Sequence, residues 1–235
     1  MWDGRGRPSS ISSGRGRPHH KKFWDIFLLE VPNNEVKLLC YSIIKQEVEV
    51  AMAYNEFTWS RAKQDFGLTA IEGVRFFPAI APVAPSKLLE QQLERSLPWA
   101  IATGNEKARS EGIINPILLE VREILNRQIS VFSGEKFDVD ASVGLNGYCD
   151  FLISCSPEQI EVEAPVVAIV EAKQENIKTG LGQCAATMVA AQRFNQNKHL
   201  SIPVVYGCVS TGTQWRFLKL ELLRLYLRRF SCFWH

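Results

Sequence analysis

The feature that most restricts how this chain can fold is a pair of apolar runs that each end in charge. Cys149 to Cys155 and Val166 to Val170 are short and rich in Phe, Leu, Ile and Val. The second is a nearly continuous β-branched run, the signature of a strand buried on both faces. Asp150 lies in the first run, and Glu171-Ala172-Lys173 closes the second. Between them Ser156, Pro157 and Pro165 break strands and make turns, so the runs are expected as neighbours in one sheet joined by a hairpin-like loop. Strand alternation puts Glu171 and Lys173 on one side and Ala172 on the other. Burying those charges costs several kcal/mol unless something compensates.

If Asp150 meets Glu171 on one face, two carboxylates and one ammonium converge. A hard divalent cation relieves the repulsion between the carboxylates while keeping several of its waters. As a Lewis acid it also stabilises charge on a phosphate, and a neighbouring lysine can position the attacking water. This set of parts suits phosphodiester hydrolysis. The plainer alternative is an exposed cross-strand ion pair of Glu171 and Lys173, which contributes little; Val166 to Val170 is too apolar for a solvated strand.

Asp150, twenty intervening residues and then Glu171-Ala172-Lys173 resemble the signature of the PD-(D/E)XK nuclease superfamily. Within it the likeness is to small cyanobacterial-type proteins related to the N-terminal nuclease domain of type I restriction subunits. The resemblance covers about Met52 to Glu221. It implies an α/β fold with a central mixed sheet flanked by helices, in the restriction-endonuclease-like order α-β-β-β-α-β. It implies Mg²⁺ or Mn²⁺ as cofactor and nucleic acid, DNA first, as partner. It also implies a cytoplasmic restriction or repair setting, as a homodimer or with complex subunits. Carried over by position, Asp150, Glu171 and Lys173 match the signature, Glu111 matches a helix glutamate that joins the metal, and Gln183 matches a helix glutamine beside the site. Cys149 stands where the signature has proline. Without the resemblance, Glu111 reads equally as a first-turn glutamate favouring the helix dipole, and Gln183 as an ordinary helix residue. Two other functions remain open: a nuclease-like module that binds nucleic acid or a partner protein without cutting, and a protein–protein adaptor.

Five segments are expected. Residues 1–22 form a basic arm in which GRGRP occurs twice, at Gly4–Pro8 and Gly14–Pro18. Arg5, Arg7, Arg15, Arg17, Lys21 and Lys22 stand against Asp3 alone, a composition that cannot bury a core. Its arginines suit either an A·T-rich minor groove, as in an AT-hook, or non-specific contact with nucleic acid. Residues 23–51 are an extension of uncertain structure, and 52–105 a helical and loop lead-in. Within the lead-in, Thr58 to Gly67 is a helix, Phe76 to Pro85 is extended, and Ser86 caps a helix carrying Leu89, Leu93 and Leu97. Residues 106–221 are the core: a helix over 106–126 with Pro116 kinking it, strands at Ile129–Phe132 and Phe137–Val143, the charged pair, a helix over 175–196, and strands at Val204–Ser210 and Trp215–Leu220. Residues 222–235 are an atypical tail, expected to leave an unpaired edge and poor solubility.

The net charge of +2 over 235 residues makes any basic surface local; Lys178, Arg193 and Lys198 on the second core helix are the candidates for phosphate contact. Six cysteines show no CxxC spacing, which fits reduced thiols in a cytoplasmic protein. No run is long enough to span a membrane, and nothing reads as a Ser-His-Asp or Cys-His arrangement.

Overall fold

A computed structural model describes residues 53–79 and 81–231, with the side chains of 229–231 excepted. The basic arm, and almost all of the extension after it, lie outside the described residues. Seven strands form one mixed sheet: β1 (Thr69–Glu72), β2 (Ser130–Lys136), β3 (Tyr148–Ser154), β4 (Val166–Ala172), β5 (Val204–Ser210), β6 (Gln214–Glu221) and β7 (Arg224–Ser231), in spatial order β1-β7-β6-β5-β4-β3-β2. Only β4 with β5 and β1 with β7 pair in parallel. The helices are α1 (Trp59–Asp65), α2 (Lys87–Thr103), α3 (Glu106–Arg109), α4 (Asn115–Ile124) and α5 (Ile177–Asn197). The fold is therefore α/β, and from α3 to β5 it follows the expected succession of helix, three strands, helix and strand. No helix among the described residues is long and apolar enough to cross a membrane.

The long helix α5 covers one face of the sheet because its inward side is small. Ala185, Ala186, Ala190 and Ala191 are fully buried, and a Cβ added at Gly180 would stand 2.7 Å from Val209. At its far end Asn195 substitutes for a strand: its side chain accepts from the Val166 N–H and donates to the Val166 carbonyl, both at 2.8 Å. The opposite face packs Phe151, Val170, Ala172, Cys208 and Trp215 against Ile114 and Leu118. Helix α2 lies beyond them through Leu89, Leu93 and Ala100. Thr58 and Ser86 cap α1 and α2 as their sequence positions suggest.

Four expectations need correction. The helix starting at Glu106 is not a continuous α-helix, because Ser110–Ile114 forms a π turn between α3 and α4. Pro116 has no N–H for the Gly112 carbonyl four residues before it, and the Ser96 hydroxyl donates to that carbonyl at 2.5 Å instead. Secondly, β2 runs through Ser133-Gly134 rather than turning there, with Gly134 at φ 64°, and 137–143 carries no strand but a bridge, Asp140 to Leu145. Thirdly, β1 was not anticipated in the lead-in. Lastly, the tail is not an edge defect. It is β7, hydrogen-bonded along its length to β6 and on its other side to β1, with Leu225 and Leu227 buried in the core.

Candidate active site

The two charged strand ends do meet. Strands β3 and β4 pair antiparallel from Ser154 opposite Val166 up to Phe151 opposite Val170, and the ladder ends there. The next N–H of β4 to need a partner, that of Ala172, finds the Asp150 carboxylate at 2.8 Å. A side chain thus replaces the missing strand carbonyl and fixes where Asp150 points. Strand alternation sorts the rest as expected: Ala172 packs in the cluster on the α4 side, whereas Glu171 and Lys173 turn toward α5. The aliphatic part of Lys173 lies against Gly180.

Glu171 is 0% exposed, and neither of its carboxylate oxygens has a hydrogen-bond donor among the described residues. Burial first, and then the neighbouring Asp150 carboxylate, hold its carboxyl well above the ordinary value, with Lys173 opposing them. The two carboxyl groups thus stand side by side, and burial and the Asp150 charge both favour the neutral form of Glu171. The Cys149 and Cys184 thiols and the Tyr54 phenol surround it. Burial pushes all three upward, and the carboxyl of Glu171 adds to the effect. The Lys173 ammonium sits 3.5 Å from Glu106 Oε1 and 3.8 Å from Asp150 Oδ2, with only 14% of its side chain exposed.

The helix glutamate is where sequence and structure part. Glu111 points to solvent and pairs with Lys107 at 3.0 Å; it does not join Asp150 and Glu171. Glu106 reaches Lys173 instead. Glu111 shares a side of the helix with Lys107, four residues before it, and not with Glu106, five before it. Arg109, on the same side of α3 as Glu106 by its three-residue spacing, donates from Nη1 to the Thr211 carbonyl at 2.9 Å. It thereby ties α3 to the Ser210–Gln214 turn, whose Ser210 carbonyl also accepts the Lys173 N–H at 2.8 Å. Glu106 and Arg109 were legible only as a spacing after the Asn105 cap.

Gln183 lies further along α5, half-buried, and its side chain makes no hydrogen bond to Asp150, Glu171 or Lys173 among the described residues. The basic residues of α5 do not form one surface. Lys178 is in the first turn near the site, while Arg193 lies fifteen residues on, about 22 Å along the axis, bound to Asp140 at 2.7 Å. Lys198 follows the end of α5 and lies over the Phe194 ring. Of the turn after β5, Trp215 belongs to the core and donates from its indole N–H to the Gly212 carbonyl.

Two carboxylates facing one another, one of them buried without a donor, form a donor set that suits a small divalent cation. Mg²⁺ typically takes one or two protein carboxylates and fills its remaining positions with water. No group of three or more His, Cys, Asp and Glu suited to a metal ion occurs among the described residues, so among them the offer here is the Asp150 and Glu171 pair. The four described cysteines, Cys149, Cys155, Cys184 and Cys208, form no disulfide with one another. No family model matches the chain, and no curated protein matches it.

Proposed function

We propose that this protein is a divalent-cation-dependent nuclease that hydrolyses phosphodiester bonds, in DNA first, as part of a restriction or repair activity. One observation carries the reading: Glu171 is wholly buried, both of its oxygens lack a donor among the described residues, and Asp150 and Lys173 stand beside it. A structural core gains nothing from an acid so placed, since a buried polar group without a partner costs about 1–3 kcal/mol. A site that must hold a cation does gain.

In this reading the carboxylates of Asp150 and Glu171 would hold Mg²⁺ or Mn²⁺. When bound, the ion supplies Lewis-acid stabilisation of charge on the phosphate and makes a water nucleophilic near neutral pH. The rest falls to the chain. The Ala172 N–H fixes the Asp150 carboxylate. Glu106 and Asp150 together hold the Lys173 ammonium, a three-donor cation that orients the attacking water and neutralises charge on a non-bridging oxygen. Arg109 and the Lys173 backbone brace the turn after β5 that forms the neighbouring wall.

The test is cleavage of mixed single- and double-stranded nucleic acids with and without Mg²⁺, with Asp150→Ala and Lys173→Ala alongside. Cleavage that needs the metal and is lost in both folded variants supports the assignment. Cleavage persisting in both, or none by the unaltered protein, refutes it. Titration calorimetry with Mg²⁺ separates this enzyme from a module that binds without cutting, because such a module has no use for a cation between Asp150 and Glu171.

A further inference from the structure

On the face of the sheet opposite α5, strands β3, β4 and β5 carry side chains of very unequal size. Ile153, Ala168 and Tyr206 stand in one row across the three strands, and Phe151, Val170 and Cys208 form the next row on that face. Ala168 therefore leaves a hollow between two larger neighbours. Helix α4 overhangs the hollow with Ile117, Val121 and Ile124, and the connection between β1 and α2 borders it with Phe77 and with Val83 to Pro85. The cavity so formed measures about 630 Å³.

Two anchors keep this roof from settling onto the floor. At one end the Phe77 ring stacks on Tyr206 at 5.7 Å and meets Phe217 edge-on at 5.5 Å. At the other, Ser86 donates to Glu120 of α4 twice, from its N–H at 2.7 Å and from its hydroxyl at 2.9 Å. Glu120 is the only charged side chain of the lining among the described residues, and both of its oxygens are engaged in this way. The mouth is apolar as well, with Val83 69% and Ile124 47% exposed.

The occupant that fits is uncharged and needs no backbone partner. A peptide strand does not qualify, because β4 and β5 are each hydrogen-bonded to a strand on both sides and Pro85 on the roof has no N–H. Nor does a helix, since two turns fill about 850 Å³ at a diameter of about 10 Å, more than the cavity holds. The walls offer ring faces instead. Trp215 and Phe217 lie stacked with 15° between their planes, and a planar ring packs well against such a wall. We propose that the cavity binds a small, neutral aromatic molecule. Its size and lining are those of pockets that bury most of a drug-sized ligand among apolar side chains. This site is separate from the nuclease reading and does not depend on it.

The experiment titrates the full chain with phenylnaphthylamine, a neutral fluorophore, and with anilinonaphthalene sulfonate, the same framework carrying a negative charge. The neutral probe is expected to saturate at one molecule per chain and to raise Tm. The sulfonate is expected to bind at least about tenfold more weakly, because burying its charge is unfavourable. Ala168→Leu fills the hollow and should weaken the neutral probe by at least about tenfold, the loss of contact with two or three carbons. Val83→Asp, at the exposed mouth, should weaken it severalfold and decides the matter if Ala168→Leu does not fold. Leu88→Asp, 73% exposed and outside the lining, should leave binding unchanged. Binding that survives both cavity variants, equal loss in Leu88→Asp, or equal affinity for the two probes overturns the proposal. So does the absence of saturable binding. Release of the probe as protein concentration rises, with a dimer appearing in sedimentation, gives the cavity to a second copy of the chain and overturns it too.

Discussion

Glu171→Gln is the most informative single change, because it separates what the site does for binding from what it does for stability. The amide is nearly isosteric with the acid, carries no charge, and brings donors that the buried Asp150 side of the pocket can accept. In the unaltered protein both Glu171 oxygens lack a donor, and burial holds the carboxyl above its ordinary 4.5. A carboxyl raised in this way binds its proton more tightly folded than unfolded. Its contribution to stability is complete below the unfolded value and is lost as pH rises toward the folded one. The glutamine has no such dependence. Satisfying one buried group is worth about 1–3 kcal/mol, and for a chain of this size each kcal/mol moves Tm by about 2–4 °C. Thermal unfolding in EDTA should thus show a gain of about 2–12 °C for Glu171→Gln at pH 8, shrinking toward zero near pH 4. Mg²⁺ should raise the Tm of the unaltered protein and not that of the variant. A variant less stable at every pH, or a gain that does not change with pH, would refute the account of this acid as buried without a donor and with its carboxyl held above the ordinary value.

Asn195→Ala removes both side-chain bonds to Val166 and should cost about 2–4 kcal/mol in urea unfolding; a loss under 0.5 kcal/mol would show that water substitutes freely. Ser96→Ala strips the Gly112 carbonyl of its donor and is expected to cost about 1 kcal/mol, measured the same way. Gly182→Ala drives a Cβ into the Phe57 carbonyl and the Thr58 backbone, which cannot yield locally, so the expected result is loss of about 3 kcal/mol or failure to fold; a normal melting curve would contradict the close approach. Glu106→Gln should lower cleavage through Lys173, whereas Glu111→Gln should leave it unchanged, and the reverse pattern would restore Glu111 to the site.

Much of the site was legible because its signals are local. An apolar β-branched run with Glu-X-Lys at its end constrains both the strand and its facing, and Val166 to Lys173 folds as that pattern requires. Ser86, Thr58 and the alanines of α5 are equally local signals. What escaped is what depends on distant partners or on a shift of phase. Thr69–Glu72 is too short to read as a strand without β7 beside it. The tail looked like a defect because its alternation has meaning only between β6 and β1. Glu111 matched a helix glutamate by position alone, and position does not reveal that Glu106, a turn earlier, is the carboxylate within reach of Lys173. Phe137 to Val143 alternates well enough for a strand, yet Gly134 at positive φ lets β2 continue past the expected turn and leaves that alternation without a ladder.

The placement of β7 also bears on how the protein is made. Among the described residues strand β1 pairs with β7 alone, and more than 150 residues separate Glu72 from Arg224. A chain emerging from the ribosome must therefore carry β1 unpaired until nearly everything described here has been synthesised, a long-range closure of the kind that slows folding. Any product released before Arg224 would display both β1 and β6 with open edges. Quality control thus has a simple mark of incomplete synthesis in this protein: two strands waiting for the same neighbour.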